Sequence, residues 1–163
     1  MNKIINFEDF FEHIASKLRK CIGLKYFIFL VPDGQHGNFV TKFSTNNDDK
    51  ISFTIKEINI LGGGSAERFF YLKTIFHRGN LLKRILQIKI ICKFKLFGIS
   101  AVMPIHCDDR IICLIIFKDR RIIDRIKENN HLMDKIRGEI AYCLGTILLY
   151  NQTLERIIRD YDL

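Results

Sequence analysis

The chain has no tryptophan, only 2 prolines, no glycine- and serine-rich linker, and no apolar run approaching the roughly 18 residues that a membrane-spanning helix needs. No composition break marks a boundary between domains, so residues 1–163 are read as one domain. The first residues are polar rather than a signal-peptide core, and together with the missing span this gives a cytoplasmic expectation. Paired cysteines are lacking too. The 5 that exist, at positions 21, 92, 107, 113 and 143, are odd in number and never form Cys-x-x-Cys, which argues against a disulfide framework or a zinc ribbon and for reduced thiols. Long runs of one charge are also absent. The formal net charge is +8, but the basic residues are interleaved with acids along the whole chain. Its densest basic group, Lys83, Arg84, Lys89, Lys93 and Lys95, fits a solvated face, so nucleic acid is not an expected partner.

What is present is apolar and patterned. A hydrophobic content of 48% with 14 phenylalanines suffices for one ordinary core. The stretch from Gly98 to Arg121 stands out, because Ile99–His106 and Ile111–Lys118 are rich in β-branched residues and are separated by Cys107-Asp108-Asp109-Arg110, the length of a hairpin loop. Residues 111–117, Ile-Ile-Cys-Leu-Ile-Ile-Phe, carry no polar side chain on either face. A strand of that kind is covered on both sides, which makes it the expected middle of a sheet.

Around it the chain reads in order. Asn6 with Asp9 resembles a helix start, and Phe7, Phe10, Phe11, Ile14, Leu18 and Cys21 recur at helical steps up to Gly23. Leu24–Val31 and Asn38–Ser44 form a first hairpin, and the alternation of Ile51, Phe53 and Ile55 gives a strand near a sheet edge. Gly62-Gly63-Gly64-Ser65 lacks the endings of phosphate-binding loops and is read as a connector with Ser65 as helix cap. From Ser65 the apolar residues step as two short helices broken at Arg78-Gly79-Asn80, and Ile88–Phe97 suits helix or strand equally.

Beyond Arg121 the pattern is helical. Met133, Ile136, Ile140, Cys143, Ile147, Tyr150, Leu154, Ile157 and Tyr161 keep a three-four spacing without a break. A helix of about 30 residues is roughly 45 Å long, more than a domain of this size covers. Its end, residues 153–163, is therefore expected against a second copy or leading to another domain. The heptad phase still running at Leu163 suits a continuing chain and a stand-alone regulator alike.

The expected fold class is α+β: an antiparallel sheet of five or six strands with N- and C-terminal helices on one face and short helices on the other. This order of elements, together with Ala101-Val102-Met103-Pro104-Ile105, Asp109-Arg110-Ile111-Ile112-Cys113-Leu114-Ile115-Ile116 and the exit helix with Glu139-Ile140-Ala141, resembles a GAF domain. Cys113 stands where that family usually has glycine. The resemblance implies a non-catalytic sensory module of a signal-transduction protein, such as a bacterial sensor histidine kinase in a two-component system, acting on a downstream output domain. It further implies a homodimer through the terminal helices, for which Phe11, Ile140, Ile147, Tyr150, Leu154 and Ile157 are the candidates. A small-molecule pocket is implied between the sheet and the 65–97 segment, with Phe29, Phe43, Leu72, Phe76, Leu82, Met103 and Ile115 as walls.

The family's cyclic-nucleotide signature, Asn-Lys-Phe-Asp-Glu, and its bilin-attachment context are missing, so neither cofactor is expected; nor is a metal, since His106-Cys107-Asp108-Asp109 reads as a surface turn. Two readings stand beside the sensor. One is a thiol-dependent reductase of the same fold using Cys107 or Cys113, and the other is a pure interaction domain without a ligand.

Overall fold

In the computed structural model the described residues are 7–33, 37–45, 50–62, 70–71, 81–118 and 121–161, with side chains described outside 60–62, 70–71 and 82–83. Helix α1, Phe7–Lys17, runs into a π-helical turn, Leu18–Ile22, and the strands of the first hairpin follow as β1, Phe27–Pro32, and β2, Phe39–Ser44. Next come β3, Ser52–Phe53; α2, Ile55–Gly62; β4, Phe70–Tyr71; and α3, Leu81–Phe97. The second hairpin is β5, Ala101–Cys107, with β6, Arg110–Phe117, and the chain closes with α4, Ile122–Glu128, and α5, Asn130–Tyr161. No described helix is long and apolar enough to cross a membrane.

The six strands among the described residues form one antiparallel sheet in the order β3-β2-β1-β6-β5-β4. β6 pairs with β1 on one side and β5 on the other, so the uniformly apolar stretch is an inner strand, as its sequence predicts. Its side chains alternate. Cys113, Ile115 and Phe117 join a core with α1, α4 and α5, while Leu114 and Ile116 join a second core with Ile58 of α2 and Ile90 and Phe94 of α3. The sheet is thus the middle of three layers. Two register shifts interrupt the ladders, between Phe29 and Leu30 and between Ile105 and His106.

Several local expectations change. The alternation at Ile51–Lys56 yields only a two-residue edge strand, because Thr54 and Glu57 form a capping box that starts α2 at Ile55: each backbone N–H bonds the other's side-chain oxygen at 3.2 Å. The Thr41 hydroxyl extends the edge pairing by donating to the Ile51 carbonyl and accepting from its N–H, at 2.8 and 2.9 Å. Ile88–Phe97 is helix, continuous with Leu81 in the 17 residues of α3. Within the first of the two expected short helices, Phe70–Tyr71 is instead strand, pairing with Val102 and Ala101 of β5, so helix is corrected to sheet edge there. Asn6, Gly63–Ser65 and the rest of that segment lie outside the described residues. The long final helix spans 32 residues, and α4 before it is separate, ended at Asn129.

Candidate functional site

Four of the residues expected to wall a pocket form one row across the sheet. Phe43 pairs with Phe29, Phe29 with Ile115, and Ile115 with Met103. The row, however, faces the terminal helices rather than the 65–97 segment, since Phe29, Met103 and Ile115 belong to the core containing Phe11 and Ile140 and Phe43 packs against it. Phe11 stacks on Phe29, with ring centroids 4.8 Å apart. Phe29, Met103 and Ile115 are thus buried in that core, with Phe43 partly buried against it. The strand residues facing α2 and α3 are their neighbours Ile28, Leu30, Val102, Leu114 and Ile116. Leu72 and Phe76 lie outside the described residues; Leu82 belongs to α3, with its side chain outside them.

Of the dimer candidates, Phe11 and Ile140 are fully buried and Ile147 nearly so, all within their own chain, which removes them from any surface. A three-four spacing packs a helix onto a sheet as readily as onto another helix, and the first half of α5 uses it that way. Tyr150, Leu154 and Ile157 are 54%, 38% and 46% exposed, and Tyr161 is 85% exposed. From Gln152 to Tyr161 every residue is exposed. The final turns of α5 thus stand clear of the domain, with their apolar stripe bare.

The domain grips the other end of that helix. Glu139 accepts from Lys17 Nζ through both oxygens, at 2.8 and 2.7 Å, which locks α5 to α1. Arg125 of α4 donates to the Ile22 and Gly23 carbonyls at 3.1 and 3.0 Å, satisfying the end of the π-turn. Gly23 there has φ of 76°, and a Cβ on it would collide with that guanidinium.

Where α5 leaves the sheet there is a cleft of about 850 Å³. The tips of both hairpins line it with Asp33, His106, Asp109 and Arg110; α2 adds Ile58 and Asn59, and α5 adds Leu148 and Gln152. The second tip is a two-residue turn, Asp108-Asp109, with Asp108 at φ 53°, a conformation that aspartate tolerates better than most side chains. Gly145 lets α5 approach this hairpin closely, since a Cβ on it would stand 3.0 Å from Cys107 Sγ. His106 is partly buried, and burial together with the nearby Arg137 charge holds its pKa below the usual 6.5. The cleft therefore combines a neutral imidazole near pH 7, carboxylates and a guanidinium around an apolar floor, a set suited to a small polar molecule.

Sequence reasoning missed this cleft. It also missed the clasp beneath α3, where Lys93 Nζ donates to Glu57 Oε1 and to the Ser52 carbonyl, both at 2.8 Å. Glu57 is only 3% exposed, and its Oε2 is buried without a hydrogen-bond partner. The Thr54-x-x-Glu57 spacing was the signal for a helix start there; no spacing announces Lys93, 36 residues on. Among the thiols, Cys113 is fully buried and burial pushes its pKa far up, so the reactive thiolate form is strongly disfavoured. Cys107 is half-buried, and Cys21 and Cys92 are exposed.

No protein-family profile matches the chain, and no curated protein is similar enough in sequence to count as a relative. Solved structures do match. One described as a domain of a two-component sensor histidine kinase protein from Sinorhizobium meliloti 1021 is 13% identical, with a TM-score of 0.45, covering 90% of this chain and 94% of that one. The crystal structure of residues 122 to 287 of a methyl-accepting chemotaxis protein is also 13% identical, with a TM-score of 0.53 over 90% of this chain and 92% of that one. The chain therefore shares its fold, over nearly its whole length, with a piece of a chemotaxis protein.

Proposed function

We propose that the chain is a non-catalytic sensory or regulatory module of the GAF type within a signal-transduction protein, and that it pairs with a second copy through the free turns of α5. The observation that carries this reading is the bare stripe of Tyr150, Leu154, Ile157 and Tyr161 on a helix whose other half is built into the core. Such a stripe in heptad phase is what a two-helix seam buries. The fold shared with a chemotaxis-protein domain supports the signalling context.

The cleft at the hairpin tips supplies a route for a signal. Leu148 and Gln152 line it one turn apart, at the place where α5 departs from the sheet. A small polar ligand held there touches the exit helix directly, and differential affinity for two packings of that helix shifts their populations.

Analytical ultracentrifugation of the chain at tens of micromolar tests the pairing. A dimer that becomes a folded monomer in Leu154→Glu/Ile157→Glu is expected. A wild-type monomer, or a dimer indifferent to both substitutions, contradicts it.

A further inference from the structure

Helix α3 is apolar on two sides. Inward, Ile90 and Phe94 are buried against the sheet. Outward, Leu81, Ile85, Ile88, Cys92 and Leu96 succeed one another at four-, three-, four- and four-residue steps, so they form a single stripe along the helix. Leu81, Ile85, Ile88 and Leu96 are 74%, 47%, 60% and 79% exposed. At about 100° per residue, Arg84 and Lys95 run along one margin of the stripe and Lys89 along the other. All three are exposed, and the 17-residue helix contains no Asp or Glu. Its length is about 25 Å.

This arrangement has a specific complement. Among the described residues the outer stripe joins neither hydrophobic core, which α3 reaches with its opposite side. Cations on both margins, with no acid between them, fit a surface that is negative all around an apolar interior. An acidic protein groove offers that only if both of its rims are acidic. A leaflet of anionic lipid offers it everywhere: aliphatic side chains sink to the acyl boundary while Lys and Arg stems reach up to the phosphates.

We propose that α3 is an interfacial helix that lays its Leu81–Leu96 stripe into a bilayer surface rich in anionic lipid. The sheet separates α3 from α5, so docking leaves the exit helix free.

Co-sedimentation with vesicles of mixed phosphatidylglycerol and phosphatidylcholine, against vesicles of phosphatidylcholine alone, tests it. The chain is expected to bind the anionic vesicles only, less as salt rises. Ile85→Ser/Ile88→Ser keeps every charge and is expected to weaken binding at least about tenfold with an unchanged circular dichroism spectrum. Equal binding by that variant would mean diffuse attraction by the net charge and would overturn the proposal. So would an absence of binding at low salt, which would point to an acidic protein partner for this face.

Discussion

Glu57 holds the edge of the molecule through one carboxylate oxygen. Its Oε1 receives Lys93 and the Thr54 N–H, while its Oε2 is buried without a partner, so a charge sits in a nearly dry place with half its hydrogen-bonding capacity unused. Removing only the cation is expected to cost more than removing both groups. Lys93→Met should lower unfolding stability by about 3 kcal/mol, and Glu57→Gln/Lys93→Met by clearly less, measured by chemical denaturation. At Gly23 the backbone is left-handed and Arg125 crowds the Cα, so Gly23→Ala should cost about 1–2 kcal/mol in the same assay. His106 gives a pH dependence. Because its folded pKa lies below the unfolded value, the unfolded chain binds more protons as pH falls below about 6.5, and stability is lost through that window. A melting-temperature profile in which His106→Gln flattens the acid limb, leaving the values above pH 7 in place, is the expected outcome.

The elements were legible to different depths, for physical reasons. The second hairpin could be read because seven consecutive apolar residues admit little besides an inner strand, and the structure places β6 between β1 and β5. The alternation within it was plain as well. Which of its two faces meets which layer was not, because a period of two separates the faces without naming them. Hence Phe29, Phe43, Met103 and Ile115 emerged as one row, on the side opposite to that expected. α3 was ambiguous at residues 88–97 because its apolar residues serve two sides, which blurs the helical period in a single stripe. Phe11 carries the consequence of the corrected faces. Stacked on Phe29 and fully buried, it is a core residue, and Phe11→Ala should cost about 3–5 kcal/mol, whereas a change on the outer face of α3 such as Ile88→Ala should stay within about 0.5 kcal/mol.

For the whole molecule, the layered arrangement follows from where apolar surface needs cover. A sheet greasy on both faces takes α1, α4 and α5 on one side and α2 and α3 on the other, and this much was written in the order of the elements. The cleft was not. It gathers residues from positions 32 to 152 at the loop ends of two hairpins, a proximity that only the assembled sheet creates. Nor could the division of α5 be read from its unbroken heptads, since the last buried residue, Ile147, and the full exposure from Gln152 onward depend on where the sheet stops. The proposed pairing rests on that division: one helix, half built into its domain and half left exposed. Amide hydrogen exchange along α5 probes both halves at once. Amides between Asn130 and Ile147 should exchange slowly at every protein concentration, while those from Tyr150 to Tyr161 should be protected at tens of micromolar and lose protection on dilution or in Leu154→Glu/Ile157→Glu. Rapid exchange of the distal turns at all concentrations, or protection that neither dilution nor the double substitution removes, would contradict it.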